Sequence, residues 1–486
     1  MGGSQAINYV VGMVRTKLVA LLLGPSGVGM IGLFQSSIAW VMQLTGLGIG
    51  SSGVRQIAKA HSAQDTEQVG KTIRVLRRAC WFTGILGWVV AAILSRPLSI
   101  WVFESTDNAW LIAILGATLL LTGVSNGQKA IIQGTRRISD LAKMTVLSSL
   151  LSTIFAIFLY WLFGVNAIVP VLVSIALLNL AVSWWFSRKL VVPDAGSLSW
   201  TETYQEGKQL TNLGVAFMWG GLLASLVDMG VRALIVREVG IDGTGYYQAA
   251  WALSGMFANF ILGAMGADFY PRLTGVADNH PLIKSMVNEQ IEVGVLIAVP
   301  GLVATLAVGP LLLVAFYSTE FIAAAEVLPW FVFAIFFRVM SWPVGYTVLA
   351  KGATGWFFVT QTFFFGLQMF LAWMLISPFG LVGAGISFLG TCIPAVILNL
   401  FVANRLTGFV WSRTVLNLFL AGFAVVCVAF LGAVFLSATQ SAMLSLPLAA
   451  IASVFCIRGI SARVGKEHRI VRTLLKIPGM KLLIPN

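Results

Sequence analysis

Several cationic side chains lie inside long apolar stretches of this chain, where a charge is rarely tolerated. Arg15 and Lys17 lie in the run GMVRTKLVALLLGPSGVGMIGLFQ at residues 12–35. Arg232 follows Asp228 by four residues in a second run, and Arg338 lies in FAIFFRVMSWPVGY. A charge inside a membrane span normally faces a partner or a polar cavity, and a guanidinium binds phosphate or carboxylate oxygens in pairs. These residues therefore indicate an anion-binding site within a membrane.

Each of these charges also has a purely structural explanation. Arg15 and Lys17 lie in the outer half of the predicted first span, where long cations can reach the lipid headgroups. Asp228 and Arg232 share one helix face, so they form either an internal ion pair or a pair that substrate or a cation opens. Arg338 is too deep to reach a headgroup, and its alternative is a buried ion pair with an acidic residue such as Asp228. We predict Arg15, Lys17, Arg232 and Arg338 as substrate-binding residues, and Asp228 as a cation-coupling or ion-pairing residue.

Further charges lie at the predicted inner ends of membrane spans. Anchoring at the inner surface also explains Arg55 and Arg272. Asp268 lies in GADFYPRL, four residues before Arg272, and this spacing allows an ion pair on one helix face. We predict Arg55 and Arg272 as additional substrate-binding residues and Asp268 as a second cation-coupling or ion-pairing residue.

The composition identifies an integral membrane protein. Of the 486 residues, 58% are hydrophobic and only 10% are charged, and the mean hydropathy is +0.90. A soluble domain carries about 25% charged residues. The net charge of +13 does not indicate nucleic-acid binding, because the cations lie between apolar spans. The three histidines are far apart in the sequence, so we predict no metal site and no cofactor.

About fourteen apolar runs of membrane-spanning length predict an all-α polytopic protein, because helices satisfy the backbone in lipid. The connections alternate in charge. One set carries arginines and lysines, as at Arg136 and Arg137, and the other set carries acidic residues, as at Glu104 and Asp107. The positive-inside rule then predicts that both termini are cytoplasmic. Span 1 has few residues before Arg15, so either it begins at the membrane surface or the natural N-terminus is longer.

A repeat divides the spans into two halves. Arg15 matches Arg232 and Arg55 matches Arg272, both at an offset of 217 residues. Because each repeat contains six spans, an even number, the halves are predicted to run parallel around a central cavity. Two additional helices follow at the C-terminal end. The predicted organisation is an N-lobe at 1–186, a cytoplasmic linker at 187–210, a C-lobe at 211–403, two extra helices at 404–460 and a basic tail at 461–486.

The segments QAINYVVGMVRTKLVALLLGPSGVGMIGLFQ, GLGIGSSGVRQIA and GADFYPRLTGVADN together resemble the Wzx-type flippases of lipid-linked oligosaccharides, the O-antigen translocases of the MATE/MOP transporter superfamily. The resemblance implies two six-helix lobes around a central cavity. It implies undecaprenyl-pyrophosphate-linked oligosaccharide as the substrate, in the bacterial inner membrane. On this basis we expect a transporter rather than an enzyme, which moves the lipid-linked unit from the cytoplasmic to the periplasmic leaflet by alternating access.

The cavity arginines would bind the pyrophosphate, which carries at least two negative charges. We hypothesise that the membrane potential, or exchange of H+ or Na+ at Asp228 or Asp268, drives the cycle. Candidate partners are membrane lipids and the polymerase and chain-length proteins of the pathway. Two alternatives remain: a MATE-like drug/cation antiporter, for which cavity carboxylates are expected to outnumber arginines, and an O-antigen polymerase or ligase, for which a sizeable outer loop is expected.

Overall fold

The computed structural model describes residues 2–46, 48–190 and 215–464, and every long element within these ranges is an α-helix. The predicted linker at 187–210 and the basic tail at 461–486 lie almost entirely outside the described residues. In chain order the helices are α1 (Gly2–Thr45), α2 (Ile49–Ser62), α3 (Thr66–Phe103), α4 (Ala109–Leu115), α5 (Ala117–Gly134), α6 (Ile138–Phe163), α7 (Ile168–Ser187), α8 (Val215–Val239), α9 (Ile241–Thr274), α10 (His280–Phe316), α11 (Leu328–Ala350), α12 (Thr354–Thr407), α13 (Arg413–Phe435) and α14 (Ala438–Val464). Two short 3-10 helices occupy Gly164–Ala167 and Thr319–Ala325.

Fourteen membrane crossings fit these helices. Among the described residues, ten stretches are long and apolar enough to cross a membrane. Three of them, of 42, 50 and 54 residues, are long enough to cross twice. Two of those three are interrupted at glycines with positive φ and non-helical backbone, Gly24 (φ 65°) in α1 and Gly380 (φ 54°) in α12, where the chain turns back. The predicted all-α fold is confirmed, and with α9 as a further crossing the helices fit about fourteen spans.

Some helices extend well beyond the predicted spans. α3 begins at Thr66, whereas the apolar pattern predicts a span from residue 79. The reason is local: the side chain of Asp65 accepts a hydrogen bond from the backbone N–H of Gln68 at 2.9 Å and caps the helix. The cationic first turns of α3 therefore continue the helix outside the apolar stretch.

The described residues form two compact units. The first comprises residues 1–245 with 315–320, and the second comprises residues 246–314 with 321–486. The first unit therefore includes α8, whereas the sequence repeat predicts α8 as the first helix of the C-lobe at 211–403. The predicted lobe boundaries stay a prediction.

The core of the first unit is built by helices on both sides of the bend at Gly24. Leu33 and Phe34 of α1 are buried with Ile112 of α4, Tyr160 of α6 and Met229 of α8. A smaller cluster joins α2, α3 and α5. Burial of these side chains is favourable at about 25 cal/mol per Å² only relative to water, so within a bilayer close packing is what holds the helices together.

The core of the second unit is centred on α11. Phe331 packs edge-on against Trp251 of α9 and Phe388 of α12, with ring centroids 5.3 and 6.0 Å apart. Phe333 stacks on Phe430 of α13 at 4.8 Å. Such aromatic pairs contribute about 1 kcal/mol each beyond their area. α11 is therefore surrounded on most of its circumference by other helices.

Candidate functional site

Arg338 is the one residue of α11 that is exposed; its neighbours from Phe331 to Phe337 and from Val339 to Ser341 are all buried. The residues one, two and three turns further along the same face, Trp342, Tyr346 and Leu349, are half-buried. The helix continues through Pro343 to Ala350. α11 thus opens to its surroundings along one narrow face, and that face carries the arginine.

The surroundings of Arg338 contain little to neutralise its charge. Among the residues whose side chains the structure describes, no acidic group forms an ion pair with it. The buried thiol of Cys392 on α12 lies within electrostatic range of the guanidinium. An accessible guanidinium on an otherwise buried helix is able to bind an anion, because it is always ionised and presents a fork of N–H donors.

Asp228 and Arg232 form a bidentate ion pair on α8. The Nε of Arg232 donates to Asp228 Oδ2 at 3.0 Å, and Nη2 donates to Oδ1 at 3.2 Å. The side chain of Arg232 is 7% exposed and that of Asp228 is 35% exposed. The internal ion pair that the spacing allowed is therefore formed. Whether substrate or a cation opens it stays a prediction.

Arg15 and Lys17 lie on the first arm of α1, before the bend at Gly24. Arg15 is exposed and Lys17 is half-buried. The guanidinium of Arg15 lies within electrostatic range of the hydroxyl of Tyr160, a residue of α6 that is 4% exposed. Arg15 and Arg232 occupy matched places in the repeat, yet the first is exposed and the second is buried.

The remaining predicted residues lie at helix ends. Arg55 is exposed on α2, and Arg272 is exposed in the last turn of α9. Arg55 belongs to the first compact unit and Arg272 to the second. The side chain of Asp268 lies outside the described residues. The structure thus joins Asp228 with Arg232 directly, and the substrate-binding roles of the six predicted cations stay predictions.

A contact at the ends of α3 and α8 was missed by sequence reasoning. Arg237 donates from Nη2 to the backbone carbonyl of Trp101 at 3.1 Å, and its Nε lies 3.4 Å from Glu104 Oε1. From the sequence alone, Glu104 indicates only an acidic connection between spans. The signal in the sequence is Arg237 itself: it is a cation close to the connections that carry acidic residues, and the positive-inside pattern does not explain a cation there.

Comparison with known families decides where the chain belongs. Residues 18–326, more than half of the chain, match the family described as polysaccharide biosynthesis protein. The chain is a member of that family. The lipid III flippase of Escherichia coli strain K12 is 21% identical over 400 residues, which cover 80% of this chain and 93% of the relative. The lipid III flippase of Shigella flexneri matches to the same extent.

The family member also shares its fold with solved transporters. The lipid II flippase MurJ in an inward closed conformation superimposes with a TM-score of 0.69 at 12% identity, over 95% of this chain and 99% of that one. A multidrug resistance MATE family transporter of the MOP superfamily, in an inward-facing conformation, gives a TM-score of 0.64 at 16% identity over 82% of this chain and 96% of that one. The fold expected from the resemblance to the MATE/MOP transporters is confirmed. These relatives are flippases and transporters, as expected for a chain that is not an enzyme.

Proposed function

We propose that this multi-pass membrane protein translocates an undecaprenyl-pyrophosphate-linked oligosaccharide, of the O-antigen repeat-unit type, from the cytoplasmic to the periplasmic leaflet of the bacterial inner membrane. The family of polysaccharide biosynthesis proteins and the lipid III flippase relatives support a lipid-linked cargo. The observation that carries the proposal is Arg338, an accessible guanidinium on a helix whose other side chains are buried or half-buried over residues 331–350.

Among the predicted substrate-binding cations that lie within spans rather than at span ends, Arg338 and Arg15 are the exposed ones, and each is therefore able to bind the pyrophosphate. A guanidinium pairs with two phosphate oxygens at once and keeps its charge at every relevant pH. Arg232 is engaged by Asp228, so a pyrophosphate bound there competes with the carboxylate. Lys17, Arg55 and Arg272 are in this proposal secondary contacts along the path of the headgroup.

The cycle requires a source of energy and alternating access of the headgroup site to the two leaflets. In this proposal a proton or Na+ exchanges with substrate at Asp228, whose carboxylate is 35% exposed, or at Asp268. Moving the net charge of the complex along the membrane potential supplies about 2.3 kcal/mol per charge per 100 mV. The cytoplasmic orientation of both termini, and cooperation with polymerase and chain-length proteins, belong to the same proposal.

Reconstitution tests this function directly. The purified protein is inserted into proteoliposomes with a fluorescent polyprenyl-pyrophosphate disaccharide, and the labelled lipid that reaches the outer leaflet is bleached by dithionite. The wild type is expected to expose the label faster than empty liposomes, and Arg338→Ala is expected to lose at least about tenfold of that rate, the effect of one lost charge-assisted contact. Arg338→Lys should retain part of the rate, because it keeps the charge.

Arg405→Ala is the matched control, because Arg405 is exposed on α12 and stacks on Phe401 at 5.7 Å, outside the proposed site. Its rate should equal that of the wild type. Wild-type rates from Arg338→Ala at equal protein content would refute the anion-site mechanism. Export of an organic cation such as ethidium, with no movement of the labelled lipid, would instead favour the drug-antiporter alternative.

A further inference from the structure

A second basic site lies on the first unit, away from the residues considered above. α3, α5 and α7 enclose a pocket of about 820 Å³, a volume within the usual range of about 300–1,000 Å³ for sites that bind small molecules. Its walls are mostly apolar, with Leu177 and Leu180 on one side and Cys80 on the other. Two tryptophans, Trp81 and Trp184, are about half exposed at 51% and 53% and line the pocket as well.

Among the residues that the structure describes, the charged side chains that line this pocket are all cationic. They are Arg77 of α3 and Arg188, which caps α7. Neither arginine has an acidic partner within the described part of the chain. The guanidinium of Arg188 stacks over Trp185 at 3.7 Å and lies 5.0 Å from Trp184. Stacking holds this group in place and leaves its N–H donors available.

Polar atoms inside the pocket extend the donor set. The Oε1 of Gln128 accepts a hydrogen bond from Ser183 at 2.5 Å, and this contact fixes the amide of Gln128 with its NH2 group as the remaining donor. The hydroxyl of Ser187 also lines the pocket and donates to the carbonyl of Trp184 at 3.2 Å. The pocket therefore combines two guanidinium groups and an amide donor with apolar walls.

The depth of the pocket matches the boundary between headgroups and acyl chains. Arg77 lies just before the apolar part of α3, and Arg188 lies at the end of α7, so both arginines mark the edge of the predicted spans. Exposed tryptophans are typical of this interface. Both arginines are on the basic side of the protein, which the positive-inside rule assigns to the cytoplasm, and basic pockets between helices on that side bind anionic lipid headgroups.

We propose that the pocket between α3, α5 and α7 binds one anionic phospholipid of the cytoplasmic leaflet, with its phosphate between Arg77 and Arg188 and an acyl chain along the leucine wall. The apolar walls disfavour a soluble phosphate as the natural occupant, because they provide no hydrogen bonds to replace those that the ion makes with water. The phosphate of a zwitterionic lipid carries its own ammonium group, which two arginines repel. The proposal is independent of the transported substrate.

Native mass spectrometry of the detergent-purified full-length protein tests this site, with phosphatidylglycerol and phosphatidylcholine of identical acyl chains as probes. The wild type is expected to retain phosphatidylglycerol in preference to phosphatidylcholine. The double variant Arg77→Gln/Arg188→Gln is expected to bind phosphatidylglycerol about thirtyfold more weakly, since each of the two cations near a membrane surface contributes about a factor of five. Arg77→Lys/Arg188→Lys keeps the charge and should retain most of the binding.

Arg405→Gln serves as the matched control, because it removes an exposed arginine that also stacks on an aromatic ring. It should bind phosphatidylglycerol like the wild type. Equal affinity for the two lipids, or an equal loss in the control, would overturn the proposal. So would displacement of phosphatidylglycerol by inorganic phosphate, which would show a headgroup-only anion site, or by undecaprenyl pyrophosphate, which would make the pocket part of the substrate path. Flipping by the Arg77→Gln/Arg188→Gln variant at the wild-type rate would show that the phospholipid site is separate from the proposed transport function.

Discussion

Gly245 packs directly against the backbone carbonyl of Pro25. A Cβ atom built on Gly245 would overlap that carbonyl oxygen, and one built on Gly29 would overlap the carbonyl of Ile241. Further along α1, Gly221 of α8 approaches the side chain of Gln43. The second arm of α1 therefore runs antiparallel to α8, and near its start Gly29 and Pro25 contact the backbone of the first turn of α9. Such close backbone approach is how helices associate in a membrane.

Gly245→Ala is expected to destabilise the protein by about 1–3 kcal/mol, because the backbone of the Pro25 segment must move to make room for the methyl group. The measurement is the melting temperature of the purified protein by scanning fluorimetry. Gly12→Ala is the matched control: its added Cβ meets nothing within 4 Å, so it should be neutral or slightly stabilising. Equal melting temperatures for the two variants would show that the contact is not tight in solution.

The sequence predicts the helices of this protein far better than the environment of its charges. Apolar runs and charge alternation suffice for the number of spans, because the bilayer imposes both. The repeat, however, predicts equal places for Arg15 and Arg232, and their burial differs. Arg232 has Asp228 one turn earlier, whereas Arg15 has Val11 there. Of these two arginines, only Arg232, which has an ion-pair partner, is buried. The repeat alone does not show which helices pack over each arginine.

Removal of Asp228 is expected to be more harmful than removal of Arg232. Asp228→Ala takes the facing carboxylate from a guanidinium that is 7% exposed, and the expected loss is about 3 kcal/mol. Arg232→Met leaves a carboxylate that is 35% exposed and can be hydrated, so the expected loss is about 1 kcal/mol. Melting temperatures in one detergent provide the comparison.

The double variant Asp228→Ala/Arg232→Met is the control for this ion pair, because it removes both charges together. It should be more stable than Asp228→Ala alone, since the buried guanidinium of Arg232 is then no longer left without its carboxylate. A double variant that loses the sum of the two single effects would mean that the residues act independently.

Arg237 is expected to stabilise the end of α3 mainly through its hydrogen bond to Trp101. The C-terminal carbonyls of a helix lack partners within the helix, and a cation there also interacts favourably with the helix dipole. Arg237→Gln should therefore cost about 1 kcal/mol. Glu104 pairs with Arg237 on the surface but adopts a positive φ of 56°, where a side chain is strained.

Glu104→Gly is the matched variant, because it removes the surface ion pair and relieves the strained backbone at once. Its melting temperature should stay close to that of the wild type, whereas that of Arg237→Gln should fall. A larger fall in melting temperature for Glu104→Gly than for Arg237→Gln would show that the Arg237–Glu104 ion pair, rather than the hydrogen bond to the Trp101 carbonyl, provides the stabilisation.

Arg338 is expected to contribute to transport without contributing to stability. Its side chain is exposed, and no acidic side chain that the structure describes pairs with it, so replacement leaves no buried charge behind. Arg338→Leu should leave the melting temperature unchanged or raise it slightly, because an unneutralised charge inside a span is itself costly. The same variant should lose at least about tenfold of the flipping rate in proteoliposomes.

Phe336→Ala is the contrasting variant. The side chain of Phe336 is 1% exposed and packs on Phe419 with ring centroids 5.8 Å apart, so its removal should cost about 3–5 kcal/mol of stability. A marked loss of stability in Arg338→Leu would show that the guanidinium holds the helices together, and its role in binding the cargo would then have to be abandoned.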